Sequence, residues 1–342
     1  MKRTFQIAVS LAVSIAAVWF SVQGVDFGRF LADIGQARFV WLLPMVAFAV
    51  LAMLLRAWRW REILGTLASL ERTPVLDATN IGFMGNMVLP LRAGEVLKPI
   101  VVAREGEVSA PAALASVALE RICDGLMLGV FAVLAVVMAP EAGLLAEQLP
   151  AFGAALGLLF VVLGLAAFFS RSLETVVERV AALLPRFLQH IVLEGGRGGL
   201  RALSGLSQPL VFIRVMGVSC LVWLAAVGGF IASALALGIE APMLPLGFAT
   251  AVVIAFAVAV PSAPGFIGVF WAGAEIALGI FGVDKSMGFT FGVLNWIVQM
   301  VVICSMGAWS MGRLQLTLAD LRASVSGNSA EGAASSEVGG GS

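Results

Sequence analysis

Residues Leu89 to Lys98 read LPLRAGEVLK, and residues Leu119 to Leu126 read LERICDGL. Each places full charges inside apolar sequence: Arg92, Glu95 and Lys98 in the first, Glu120, Arg121 and Asp124 in the second. The surroundings explain why that matters. The chain has 342 residues, 60% hydrophobic and only 12% charged, with a mean hydropathy of +1.01. Such values lie far from those of a soluble domain and define an integral membrane protein. An unpaired charge at the centre of a bilayer costs on the order of 3 kcal/mol, so these six groups must face one another or water.

Working outward, apolar runs long enough to cross about 30 Å of hydrocarbon lie at Ile7 to Val22, Trp41 to Trp58, Ala110 to Ala139, Ala151 to Phe169, Val211 to Leu237 and Met287 to Met311. The first follows Lys2 and Arg3 but lacks a small-residue cleavage site, so it reads as a retained span and not a signal peptide. The expected fold is all-α, with six full spans. Arg56, Arg59, Arg61 and Arg72 follow the second span, and Arg179, Arg186, Arg197 and Arg201 lie between Arg171 and Arg214. Both loops are assigned to the cytoplasm by their cationic excess, which also puts both termini inside. The expected location is a bacterial inner membrane.

Two further apolar regions must leave and return on one side. Leu76 to Ala103 is broken at Pro90 and Gly94; Leu244 to Phe281 is broken at Pro261, Pro264 and Gly265. Proline removes a backbone donor and glycine weakens a helix, so each break suits the turn of a hairpin at membrane depth. Each half then runs span, span, hairpin, span, from opposite sides, as in an inverted-topology repeat. Two ordinary crossings joined by PSAPG satisfy the same sidedness in the second region.

Depth places the charges together. Pro90 lies roughly 20 Å along its helix from Asp77, and Glu120 roughly 15 Å from Ala110. On a helix, Arg92, Glu95 and Lys98 share one face, and Glu120 and Asp124 share another with Arg121 beside them. A pure ion-pair lock is one reading. Buried pairs often fail to repay desolvation, which favours a functional site. Half-helices starting after Pro90 and Pro264 would aim N–H groups inward, and with Arg92, Lys98 and Arg121 they favour an anion such as a lipid phosphate. Glu95, Glu120 and Asp124 would hold the cations in the empty site or take up protons.

Arg59 to Leu64 (RWREIL), Asn86 to Lys98 (NMVLPLRAGEVLK), Ser109 to Leu126 and Pro261 to Gly268 (PSAPGFIG) together resemble the flippase-like transmembrane domain of lysylphosphatidylglycerol synthases and their stand-alone relatives. The resemblance covers about residues 5 to 315 and is carried by Pro90, Arg92, Gly94, Glu95, Glu120, Arg121 and Asp124. Phe266 stands where many relatives have a second glycine, and Trp271 where they have an acid. The resemblance implies movement of lipids with polar headgroups, aminoacylated phosphatidylglycerol and polyprenyl-linked sugars among them. No aminoacyl-transfer domain follows, so synthase activity is not expected of this chain.

Residues 1–315 read as one transmembrane domain with a cytoplasmic amphipathic segment at 171–213 that includes His190, and 316–342 as a disordered cytoplasmic tail ending in GGGS. Gly195 to Gly199 (GGRGG) reads as a flexible turn, and Trp41, Trp58, Trp60 and Trp309 as interface anchors. Cys123, Cys220 and Cys304 have no metal-ligand spacing, and neither cofactor nor metal is expected. Equal totals of 21 acidic and 21 basic residues give no field for nucleic acid. The expected partner is a membrane lipid, with room for a separate lipid-modifying enzyme. Two functions follow: a flippase or scramblase with substrate-binding Arg92, Glu95, Lys98, Glu120, Arg121 and Asp124, or a membrane-embedded enzyme or accessory subunit acting on phospholipids or lipid-linked glycans.

Overall fold

The computed structural model describes residues 2–104, 106–138, 170–182, 184–317 and 319–321, and all their regular structure is helical. The expected span at 151–169 lies outside the described residues. Four helices are long and apolar enough to cross a membrane: Phe39–Leu64, Ala110–Met138, Pro209–Ala236 and Lys285–Arg313. A fifth candidate is the bent pair α1 (Lys2–Val22) and α2 (Phe27–Gln36), which turns by 80°. Asp26 caps α2, accepting from Arg29 N at 3.0 Å. Among the described residues the count is therefore four, or five with the bent pair; the expected sixth is the one at 151–169.

Helix α3 (Leu42–Leu64) extends past the expected end at Trp58, so Arg56, Arg59 and Arg61 belong to the span and not to a loop. Carboxylates across the interface let it continue: Arg59 and Trp60 are both fully buried. Trp60 is thus a core residue, while Trp58 and Trp309 stay exposed.

The two broken regions fold back as hairpins. The first is α4 (Arg72–Val88) and α5 (Gly94–Ala103), the second α10 (Met243–Ala259) and α11 (Val269–Gly279). Between them in sequence lie α6 (Ala110–Met138), α7 (Ser170–Ala182), α8 (Arg186–Leu206) and α9 (Pro209–Ala236), and α12 (Lys285–Arg313) follows. At 11 residues α11 is about 17 Å long, shorter than a full crossing needs, which favours a hairpin over two spans.

Both tips use the same backbone device. Pro90 starts a single 3₁₀ turn in which Leu91 and Arg92 have φ of 59° and 54°; Pro264 starts another in which Gly265 and Phe266 have φ of 70° and 59°. Left-handed backbone costs a non-glycine residue about 1–2 kcal/mol, so the first tip, with two such residues, carries more strain than the second.

Helix α12 shows how the hairpins are arranged. Its Gly288 and Gly292 pack on Glu275 and Ala274 of α11, and Trp296 donates to Gly265 O at the second tip at 2.6 Å. Further along, Gly307 meets Met84, Asn80 Nδ2 donates to Ser310 Oγ at 3.0 Å, and Arg313 lies 3.8 Å from Asp77, all on α4. Gly288 to Arg313 spans about 37 Å. The hairpins therefore approach from opposite ends of one helix, and their tips touch near its middle.

The packing of the spans and hairpins repeats between the two halves. Helix α3 packs on α9; α3 packs on α4 as α9 does on α10; α5 packs on α6 as α11 does on α12; α6 crosses to α10 as α12 crosses to α4. That is the contact pattern of two similar halves.

Helices α7 and α8 replace the single amphipathic segment, with Pro185 capping α8. The 195–199 glycines lie within α8, where Gly195, Gly198 and Gly199 sit on Pro111, Ala112 and Ala115 of α6. They are a packing face and not a turn, because only glycine lets α8 approach so closely. His190 is exposed and lies 3.2 Å from Glu194. The fold also reaches past the expected boundary at 316: Leu316 and the fully buried Leu321 join the core, and Asp320 accepts from Thr317 N at 2.7 Å.

The first hairpin is closed by glycine. A Cβ on Gly94 would overlap the carbonyl oxygen of Gly82, whereas one on Gly217 in α9 meets nothing within 4 Å. Gly94→Ala should lower unfolding stability by about 2 kcal/mol or more, and Gly217→Ala should leave it unchanged or raise it by about 0.5–1 kcal/mol. Thermal unfolding in detergent reads both.

Candidate functional site

The charges divide into a buried lock and a cavity wall. Glu120 and Asp124 lie one turn apart on α6, and Arg59 of α3 sits between them as a fork: Nη2 is 2.8 Å from Glu120 Oε1, and Nη1 is 2.5 Å from Asp124 Oδ1. A planar guanidinium can satisfy two carboxylates at once, which an ammonium cannot. Lys98 of α5 takes the other Glu120 oxygen at 2.6 Å and lies 4.0 Å above the Trp60 ring. Trp60 Nε1 donates to Ser116 Oγ at 2.9 Å, and Trp223 Nε1 of α9 donates to Asp124 Oδ1 at 3.1 Å. The side chains of Arg59 and Glu120 are fully buried, and that of Lys98 is 4% exposed. Four helices are joined here, α3, α5, α6 and α9.

Arg121 stands at the edge of this lock. Its guanidinium lies 3.4 Å from Asp124 and 3.7 Å from Glu120, yet it remains 44% exposed. It opens on a cavity of about 360 Å³ between the two halves. Its polar lining is Arg56, Asn86, Arg92, Glu95, Arg121 and Asp124 with Asn295 and Gln299 of α12; most of the remaining wall is apolar, with residues such as Met45, Phe48, Ala52, Phe230, Ile254 and Phe270. Along α3 alone the lining runs from Met45 to Arg56, about 16 Å. Three arginines face two carboxylates, and Arg59 already neutralises Asp124 from behind. The wall keeps a positive surplus.

Of the six residues singled out from sequence, Arg92, Glu95, Arg121 and Asp124 line the cavity, whereas Lys98 and Glu120 are sealed behind it. Arg92, Glu95 and Lys98 do not share a helical face. Arg92 precedes α5 in left-handed backbone, so its guanidinium turns to the opposite hairpin, where Nη2 donates to Val258 O at 2.6 Å and the group lies 5.4 Å from the Phe266 ring. Pro90 and Gly94 flank the first tip; Pro261, Pro264 and Gly265 lie in the second. The start of α11 at Gly268 packs on Ser14 and Val18 of α1 and is covered by protein.

Sequence reasoning missed Arg56, Arg59, Trp60 and Trp223. Arg59 and Trp60 carried a signal in the RWREIL motif, but counting Arg59 as a loop charge and Trp60 as an interface anchor concealed it. Arg56 lies 5.1 Å from the Phe83 ring and makes no ion pair among the described residues. Nor does Glu95, although Arg92 and Arg121 both act on it from nearby.

These features define a multi-pass helical membrane protein with a charged cavity between its two hairpin-bearing halves. The chain belongs to the family described as the lysylphosphatidylglycerol synthase TM region, whose model matches residues 7–307. It is also similar to a protein named glycosyltransferase AglD of Haloferax volcanii, at 27% identity over 93% of this chain and 56% of that one. The chain thus spans about half the length of this curated relative. No solved structure matches.

Removing one member of a buried ion pair leaves an uncompensated charge. Arg59→Met should cost about 3–5 kcal/mol of unfolding stability. Combining it with Glu120→Gln should cost less than the two single losses added together, a coupling that a double-mutant cycle reads directly.

Proposed function

We propose that this protein moves a lipid with an anionic or phosphate-containing headgroup between membrane leaflets. The observation that carries this reading is the amphipathic cavity of about 360 Å³, in which Arg56, Arg92 and Arg121 share a mostly apolar wall. Arg56, Arg92 and Arg121 would hold the headgroup oxygens, while the α3 and α9 faces offer hydrocarbon to the chain. Charge-assisted hydrogen bonds to such an anion gain strength from the low dielectric around them. The lock of Arg59, Lys98, Glu120 and Asp124 keeps the walls in place while the tips move. Arg92 is the group whose present partner, a neutral carbonyl, is easily exchanged for an anion.

In the topology that suits this reading, both hairpins are re-entrant, both termini face the cytoplasm, and the membrane is a bacterial inner membrane. The arginine excess between 171 and 201, where Arg171, Arg179, Arg186, Arg197 and Arg201 outnumber Glu174, Glu178 and Glu194, supports that orientation by the positive-inside rule. Family membership supports a lipid as the substrate class, with phospholipids and polyprenyl phosphates the candidates.

The relative named as a glycosyltransferase favours a second reading, in which this chain contributes to modification of a lipid-linked glycan, as enzyme or accessory subunit. Glu95, which lines the cavity without an ion pair among the described residues, would then be the acid or base. Products separate the two readings, since an enzyme changes the lipid and a flippase changes only its leaflet.

The test uses purified protein in liposomes with fluorescent phosphatidylglycerol, a lipid-linked sugar phosphate and a zwitterionic control. Movement of an anionic lipid is expected, and Arg121→Gln should slow it about tenfold or more, the equivalent of one charge-assisted contact. The half-exposed Arg121 can be changed without opening the lock. Unaltered movement in that variant would contradict the headgroup site, and a chemically altered lipid would establish the enzyme reading.

A further inference from the structure

Two buried carboxyls among the described residues belong neither to the lock nor to the cavity wall: Asp77, beside Arg313, and Glu275. Glu275 lies on α11 with its side chain 4% exposed. Gly288 of α12 presses against it so closely that a Cβ there would come within 3.0 Å of the Glu275 Cα. Neither carboxylate oxygen makes a hydrogen bond of sound geometry, although Ser21 of α1 stands beside it. Lys285 Nζ is 3.8 Å away and 37% exposed. It donates instead to the carbonyls of Phe20 and Gln23 at the end of α1, at 2.5 and 2.7 Å.

The other charges at this end of the bundle are held elsewhere or apart. Asp284 lies 3.0 Å from Arg29, Asp26 caps α2, and Asp33 lies on α2. Helix α10, packed on the other side of α11, carries no ionisable residue, nor does α1 between Ile7 and Val22.

The inverted repeat gives the position its meaning. In the first half, α5 and α6 are joined by Lys98 and Glu120; in the second, their counterparts α11 and α12 are joined by Glu275 and Lys285, with the signs exchanged. The first pair is closed at 2.6 Å and sealed, while the second is open at 3.8 Å with its cation reaching water. A buried carboxylate without donors costs several kcal/mol, and taking up a proton removes that cost.

We infer that Glu275 is a proton-binding site of the second hairpin, loaded from the aqueous side where α12 begins. A water-borne proton adds to the carboxylate, leaving a neutral acid, and the Lys285 ammonium stays on the Phe20 and Gln23 carbonyls. Loss of the Glu275 charge loosens α11 from α12 and makes lipid movement depend on pH, a consequence that rests on the transport reading. The proton site itself does not.

The test is the infrared absorption of carboxylic-acid C=O groups, followed against pH with the full chain in lipid nanodiscs. A band should grow as pH falls through the neutral range, vanish in Glu275→Gln and persist in Asp124→Asn. In Lys285→Gln it should move to higher pH by about one unit, since a cation favouring the ionised form is lost. Absence of any Glu275-dependent band above about pH 5 would overturn the inference, because the group would then titrate as in water. In vesicles with pH set separately on each side, transport should change severalfold with pH on one side, and Glu275→Gln should lose that response. A band without transport would refute the transport reading alone; transport without the band would refute the proton site alone.

Discussion

The fork of Arg59 between Glu120 and Asp124 is the interaction on which the rest of the structure depends. It allows α3 to remain helical through three arginines, holds α6 against α3, and with Lys98 fixes the second arm of the first hairpin. Each group would be costly alone in a membrane; together they leave no buried charge without an opposite. The lock also sets the character of the cavity beside it. Because the acids of α6 are engaged from behind by Arg59 and Lys98, the cations that face the cavity, Arg56, Arg92 and Arg121, are left in surplus.

Two hairpins meeting tip to tip give that cavity its position. In each the second arm, of 10 or 11 residues, is shorter than a crossing; each turns on a proline followed by two left-handed residues, and they come from opposite ends of α12. The tips are held by few bonds, chiefly Arg92 to Val258 O, Trp296 to Gly265 O and Ala263 N to Ser14 Oγ at 2.6 Å. Strain at Leu91 and Arg92 and a small number of contacts make this the place where the structure yields most easily. The lock, by contrast, is dense and sealed.

Much of this was legible in the sequence because it follows from what a bilayer forbids. Charges in apolar runs at Arg92 to Lys98 and Glu120 to Asp124 had to come together, and Lys98 does reach Glu120. Proline and glycine breaks at 90–94 and 261–265 had to be turns. What was not legible depends on partners distant in sequence. The end of α3 was placed before Arg59 because an isolated arginine argues for water, and only its carboxylates on α6 reverse that. Arg92 was assigned to a helical face because the left-handed turn at Leu91 has no sequence mark, leucine being an unusual residue there. The glycines at 195–199 look like a turn until α6 is found against them, and Glu275 was overlooked because a lone acid in an apolar run lacks the clustering that drew attention to the others.

The opposed hairpins are tested most directly by labelling single cysteines with a membrane-impermeant thiol reagent from each side, after replacement of Cys123, Cys220 and Cys304. Arg72→Cys and Arg104→Cys sit at the exposed base of the first hairpin, and Glu240→Cys and Gly279→Cys at the exposed base of the second. The first two should react only from one side of the membrane and the last two only from the other. Labelling of both bases from the same side would contradict the inverted arrangement and the central cavity built on it.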